Sequence, residues 1–274
     1  MDQQPHPAAA PHAPSPLSLS LCPGIDLLGV AFELAGYTVV RGPDPILGQP
    51  GIQTFHSPAG RFDGIIAGDP CQPHSAARNG SKTPPSAPDL RADIARIIAE
   101  AQPLWWLTEN TERAPAIAVP GYESQSQIIY AWSLGVDQRR PRQFTIGARA
   151  LPVLAWPTGE KTDSPLPTAT ARGMFTSSSI GSRGTWKDHA GRTTPWKLLL
   201  QNFGLPPDWD IIPMTREGVR TALGNAVPIP VGLSLATTIS RAFDNPEQAI
   251  QSLEDWWTRP GVRRDRHSNR AKTN

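Results

Sequence analysis

Between Leu17 and Asn110 the sequence alternates between strand and helix patterns, and this alternation constrains the fold more than any other feature. Leu17 to Leu21 reads as a short apolar strand, Pro23-Gly24 as a tight turn, and Leu27 to Gly36 as a helix with apolar residues at helical spacing. Thr38 to Val40 is β-branched and predicts the next strand; Phe62 to Ala67 predicts another that runs directly into Asp69-Pro70-Cys71. Asp89 can cap a helix reaching about Ala101, with Leu90, Ile94, Ile97, Ile98 and Ala101 as its buried stripe. A strand from Leu104 to Thr108 follows, and Glu109-Asn110 comes after it as Cys71 comes after its own strand. Alternating strands and helices predict a mostly parallel, doubly wound α/β sheet that binds ligands beyond the carboxyl ends of its strands. Cys71 and Glu109 both fall on that edge.

The 274 residues, 38% of them hydrophobic, suffice for one large domain or one domain with a small appendage. Residues 1–16 are Pro, Ala, His and Gln without apolar periodicity and are expected to be a disordered arm. No start resembling a signal peptide and no later run apolar enough for a bilayer is read, so the expectation is a soluble, cytoplasmic protein. Its two cysteines, Cys22 and Cys71, are then reduced and read singly. Net charge is +2, but Thr258 to Asn274 holds five Arg and one Lys against one Asp, a basic tail that is either a solvated terminus or an added attraction for phosphates. Ala76 to Pro88 is small, polar and Pro-rich, as mobile functional loops are, and Ala150 to about Pro195 is irregular. Helical pattern resumes at Trp196 to Phe203 and Pro230 to Phe243.

Taken singly, a cysteine after a proline is more often a small core residue than a nucleophile. In order along the chain, however, a set of segments resembles the cytosine-C5 DNA methyltransferases. Leu21 to Leu27 resembles the family's opening Gly-rich loop, and Pro70-Cys71-Gln72-Pro73-His74-Ser75 its Pro-Cys-Gln-x-Phe-Ser motif. Glu109-Asn110-Thr111 is similar to Glu-Asn-Val, and Gln138-Arg139-Arg140-Pro141-Arg142 to Gln-x-Arg-x-Arg. Leu200 to Trp209 resembles the Leu-Gln-Gly-Phe-Pro-Asp block, and Gly224-Asn225-Ala226-Val227-Pro228 the Gly-Asn-Ser-Val-Pro motif. The resemblance spans Leu17 to Phe243 apart from a variable stretch.

The resemblance implies a Rossmann-like, S-adenosylmethionine-dependent methyltransferase fold with a reduced target-recognition region. C5 of cytosine is a poor nucleophile; a thiolate adding to C6 turns the ring into an enamine that can attack an electrophilic methyl group. Cys71 carries over to that role. Glu109 carries over as the acid at N3, and Arg140 and Arg142 as the groups that hold the base and favour the thiolate, with Arg142 the preferred base contact. The target must leave the base stack, and the Ala76 to Pro88 loop is placed to fill the gap. Gln72, Ser75, Arg78, Lys82, Gln138 and Arg172 carry over as DNA contacts.

For S-adenosylmethionine, the resemblance implies Pro23, Gly24, Ile25, Asp26, Asp44, Ile52, Pro70, Asn225 and Ala226. The family's Gly-x-Gly-Gly has become Gly24-Ile25-Asp26-Leu27, and Asp26 reads as a helix cap ahead of a cofactor contact. Gly42 stands where the ribose-binding Glu is expected, with Asp44 as the available substitute, and Gly48 to Gln53 offers no carboxylate for the adenine amino group. Each missing charged hydrogen bond weakens binding by about ten- to a hundredfold.

The expected organisation is an arm at 1–16, a catalytic domain at 17–149 completed by 196–243, a small recognition region at 150–195 and a tail at 244–274. Thr168 to Gly173 resembles one edge of that recognition region, which leaves room for a short target of one or two neighbouring bases. The expected partner is double-stranded DNA, with no metal and no membrane, acting as a monomer. Such compactness suits a phage or mobile element that protects its DNA from restriction. Two further readings stay open: a catalytically silent nucleic-acid-binding relative, and a transferase acting on RNA.

Overall fold

A computed structural model describes residues 15–70, 88–160, 168–170, 173–175, 196–209 and 214–243. The expectations placed on the arm up to residue 14, on Cys71, Gln72, Ser75, Arg78 and Lys82, on Arg172 and on the tail lie outside the described residues. Strands β1 (Leu17–Leu21), β2 (Thr38–Arg41), β3 (Gly64–Gly68), β4 (Trp105–Asn110), β5 (Glu123–Tyr130) and β6 (Pro141–Ala148) form one sheet in the order β2-β1-β3-β4-β6-β5. Helices α1 (Leu27–Leu34) and α2 (Arg91–Ala101) connect the early strands. A two-stranded ribbon, β7 (Thr168–Thr170) with β8 (Gly173–Phe175), precedes α3 (Trp196–Gln201), α4 (Arg216–Asn225) and α5 (Ile229–Ala242).

The period-two alternation of the strands sorts their side chains onto two covered faces. Leu19, Leu21, Ile65, Ala67 and Trp106 meet the α2 stripe of Leu90, Ile94, Ile97, Ile98 and Ala101. Ile66, Trp105, Leu107, Phe144 and Ile146 face the other way, onto α1 through Leu28 and Phe32 and onto α5 through Val231, Leu235 and Ile239. Each aliphatic side chain so buried contributes about 1.5–3 kcal/mol of transfer free energy, offset in part by lost rotamer freedom. Paired glycines make room for the two tryptophans: Gly64 lies opposite Trp105 and Gly147 opposite Trp106, and a Cβ at either glycine would run into the facing indole. A third cluster joins Leu27, Val30 and Leu34 of α1 to Leu199, Leu200 and Phe203 and to Val219 and Leu223 of α4.

The sheet is parallel only from β2 through β4; β6 runs antiparallel to β4, and β5 antiparallel to β6. Neither β5 nor β6 was expected from the sequence, because ESQSQIIY has six exposed residues and no apolar alternation. Glu109 and Asn110 lie within β4, opposite Phe144 and Gln143, instead of following the strand. Helix α2 begins at Arg91, with the Asp89 carboxylate accepting the Arg91 amide at 3.2 Å, and it ends on Gln102 in the left-handed region before Pro103. Helix α4 was also unforeseen. With α5 it makes Gly218–Ala242 apolar and long enough by composition to cross a bilayer, contrary to the expectation that no run would be. That run is mostly buried in the fold, and Pro228, which precedes α5, separates its two helices.

Candidate active site

The loops that follow β1, β2 and β3, together with Glu109 near the end of β4, line a cavity of about 400 Å3 at the carboxyl edge of the parallel strands. Its first wall is the turn after β1, where Cys22, Gly24 and Asp26 all adopt positive φ and the Asp26 amide donates to the Pro23 carbonyl at 2.7 Å. At Gly24 a Cβ would meet nothing within 4 Å, so the backbone there is open to the cavity. Asp26 turns away: its carboxylate accepts from the Gly29 amide at 3.1 Å and from the Ser20 hydroxyl at 2.8 Å, and pairs with Arg41 at 2.8 Å. It is the cap of α1. Burial pushes its carboxyl up to about 6, against the opposing pull of Arg41.

Asp44 forms the second wall and ties it to the first. One carboxylate oxygen accepts from the Gly24 amide at 2.9 Å; the other accepts from Ile46 at 2.9 Å and caps the short 3-10 turn Pro45–Leu47. Gly42, in contrast, is packed against β1: a Cβ there would lie 3.0 Å from the Ser20 carbonyl oxygen, to which the Gly42 amide already donates at 2.8 Å. A larger residue at 42 would push on backbone, which accounts for the glycine where the resemblance leads one to expect an acid. Ile25, Ile46, Ile52 and Leu90 supply apolar lining, and Gln53 lies in the wall where a carboxylate was sought. Asn225 and Ala226 close the cavity from the end of α4.

Pro70, Glu109 and Arg142 line the same cavity. The Arg142 Nε lies 3.0 Å from Glu109 Oε1; Glu109 is buried and Arg142 is partly buried. Burial pushes the Glu109 carboxyl above its ordinary range, against the opposing pull of Arg142 and Arg140. The site therefore favours a carboxyl that holds a proton, as an acid must. Asp69, at the end of β3 just before Pro70, is buried in the same wall and accepts a hydrogen bond from the Asn110 side-chain amide.

Two residues of the arginine run are committed elsewhere. Arg140 is 1% exposed; its guanidinium donates to the carbonyls of Ala169, Gly224 (3.0 Å) and Ala226 (2.6 Å) and lies over the Phe203 ring. Gln138, also 1% exposed, accepts from the Ala169 amide at 3.2 Å and donates to the Asn202 carbonyl at 3.4 Å. Both side chains are spent inside the protein, so of this run Arg142 is the one set beside Glu109. Of the nine residues expected around the methyl donor, eight line the cavity and Asp26 does not. Asp69 and Gln53 are cavity residues that the sequence reading assigned no role. Asp69 stands inside the quoted Cys71 segment, so its position, though not its orientation, was in view.

The sequence profile of the family described as C-5 cytosine-specific DNA methylase matches residues 51–179, a segment that contains Cys71, Glu109 and Arg142. Over that segment the chain is similar to the family. The chain is 28% identical over 242 residues to the Type II methyltransferase M.HgiDI of Herpetosiphon aurantiacus, an alignment covering 69% of this chain and 76% of the relative. Its fold is similar to that of the Entamoeba histolytica methyltransferase EhMeth, at 11% identity and a TM-score of 0.57, over 84% of this chain and 99% of the other. The S. pombe Dnmt2 methyltransferase is also similar, at 12% identity and a TM-score of 0.57, over 84% and 99%. The chain thus has the Rossmann-like methyltransferase fold, and the family match and the fold together imply S-adenosylmethionine as methyl donor.

The cavity fits that donor. Its volume falls within the range of small-ligand sites, roughly 300–1,000 Å3, and it combines isoleucine walls with backbone amides and carboxylates from the loops where such folds bind nucleotides.

Proposed function

We propose that the chain methylates C5 of cytosine in DNA, with Cys71 as nucleophile, Glu109 as acid and Arg142 as the cation that holds Glu109 in place. The observation that carries this is the ion pair of buried Glu109 with partly buried Arg142 in the wall of a cavity also lined by Pro70, the residue before Cys71. Gly24, Ile25, Asp44, Ile52, Asn225 and Ala226 would hold S-adenosylmethionine. When bound, it supplies an electrophilic methyl group to C5.

The chain's own residues do the rest. The Cys71 thiolate adds to C6 of the target base, and the Glu109 proton passes to N3 as the adduct forms, so the electron pair displaced from the C5–C6 bond is delocalised without a net negative charge on the ring. Glu109, now ionised, is paired with Arg142. After methylation the C5 proton leaves to solvent, Cys71 departs as the thiolate while the C5–C6 double bond re-forms, and N3 returns its proton to Glu109. The base must be flipped from the duplex to reach the cavity, with the 76–88 loop filling its place and Gln72, Ser75, Arg78, Lys82 and Arg172 meeting the DNA. Residues 150–195 read the target, which is short, and the description of M.HgiDI as a type II enzyme supports a role in protective modification.

Incubation with S-adenosylmethionine and either plasmid DNA or transfer RNA, followed by digestion and mass spectrometry of nucleosides, tests this reading. The expected result is 5-methyl-2′-deoxycytidine from DNA with wild type and none with Cys71→Ser. Product confined to RNA, or surviving in Cys71→Ser, overturns the substrate or the nucleophile respectively. Bisulfite sequencing of the product that shows a requirement for four or more defined bases overturns the short target.

A further inference from the structure

Three carboxyl groups line the cavity, and two of them have commitments. Asp44 accepts backbone amides on both oxygens, and Glu109 is paired with Arg142. Asp69 differs. It is 6% exposed, one oxygen accepts the Asn110 amide, and among the described residues no hydrogen bond or ion pair reaches the other. Asn110 is itself fixed, because its carbonyl oxygen accepts the Thr111 amide at 2.6 Å, so its NH2 group is the one that faces Asp69. The held carboxyl is left with a spare acceptor oxygen at the cavity, two residues ahead of Cys71.

We propose that Asp69 is the counter-charge for the sulfonium of the methyl donor, a binding residue that sets the donor's reactive end beside Cys71. The proposal rests on the donor reading above. Ionising a carboxyl in so buried a wall is costly, and a cation delivered to its second oxygen would offset that cost. Asp69 lines the cavity beside Pro70, which directly precedes Cys71 in the chain, and among the described residues it is the lining carboxyl with an oxygen left to accept a cation. Transfer of the methyl group turns the sulfonium into a neutral thioether, so the same contact holds substrate better than product.

The charges around Asp69 set the sign of a pH effect. Burial comes first in raising its carboxyl to about 8, followed by Glu109 of β4 and Asp89 ahead of α2, while Arg91 of α2 opposes them. Arg142 of β6 sits with Glu109, and Cys22 after β1 and Asp44 after β2 are further wall groups. Asp69 is thus largely protonated near neutral pH in the free protein and must lose its proton to meet a cation.

Titration calorimetry on the full chain with S-adenosylmethionine and with S-adenosylhomocysteine tests the contact. Asp69→Asn keeps the acceptor oxygen for Asn110 and removes only the charge. It is expected to bind S-adenosylmethionine about ten- to a hundredfold more weakly while binding of the neutral thioether stays nearly unchanged. Wild type should release a proton on binding S-adenosylmethionine at pH 7, read as a binding enthalpy that varies with buffer ionisation, and its affinity should rise toward pH 8. No loss in Asp69→Asn, or equal loss for both ligands, overturns the sulfonium contact. If Asp69→Asn does not fold, absence of proton release by wild type overturns it instead. Failure of wild type to bind either ligand removes the donor reading itself, an outcome distinct from the others.

Discussion

Glu109 and Arg142 meet on a diagonal between antiparallel strands: Glu109 of β4 lies opposite Phe144 of β6, and Arg142, two residues before Phe144 on the same face, reaches back to the carboxylate at 3.0 Å. The reversal of β6 makes this possible, since it returns the start of that strand to the edge at which β3 and β4 end. An acid on one strand is thereby aimed by a cation from another.

Glu109→Gln keeps the shape and removes the proton donor. Methylation is expected to slow by about 10²–10⁴-fold, the range for a positioned acid, with donor affinity little altered. Single-turnover assays with saturating donor, reading 5-methylcytosine by mass spectrometry, check this; a rate within a factor of two of wild type would show that N3 gains its proton elsewhere.

Arg140 and Arg142 should separate by assay. Arg140→Met leaves the carbonyls of Ala169, Gly224 and Ala226 without their donor and is expected to cost about 3–5 kcal/mol of stability, read by denaturant unfolding. Arg142→Met, at the cavity wall, is expected to lower turnover far more than it lowers the unfolding midpoint.

Stability should fall as pH rises. The folded state holds the Asp69 carboxyl up at about 8 and that of Asp26 at about 6, both from an ordinary 3.8, so each favours folding in its protonated form. That contribution is complete below about pH 4 and is lost through about pH 6 for Asp26 and about pH 8 for Asp69. Asp69→Asn is expected to melt above wild type at about pH 9 and to match it at about pH 4, as scanning calorimetry can record.

Restoring the acid absent at position 42 should not help. Gly42→Glu is expected to lower stability, because its Cβ would be 3.0 Å from the Ser20 carbonyl, and to leave donor affinity no higher. Asp44→Ala is expected to weaken donor binding and to cost about 0.5–2 kcal/mol for the lost cap. Calorimetry and thermal melts on the pair test both expectations.

The parallel half of the sheet was legible because buried strands and amphipathic helices leave periodic apolar signatures: β1 is matched residue for residue, and the α2 stripe is buried as expected. The antiparallel half was not, because β5 is an edge strand with polar residues over most of its length. The cavity residues around Gly24 and Asp44 were readable through their place after strands. The separation of Arg140 from Arg142 was not, since it depends on carbonyls more than eighty residues further along the chain. Asp69 lay in plain view, but its free oxygen is a property of what surrounds it in space.

The Arg140 clamp has a consequence for how this chain can be divided. Its guanidinium bolts the segment entering β6 to the α4–α5 junction, whose Asn225 and Ala226 complete the cavity. A break placed between Phe175 and Trp196 would yield one fragment bearing Cys71 and another bearing the far wall, each leaving polar groups of that junction exposed. Reassembly would then be self-reporting: the cavity would be complete only when the fragments dock, so the proposed methylation would return with docking and serve as its signal.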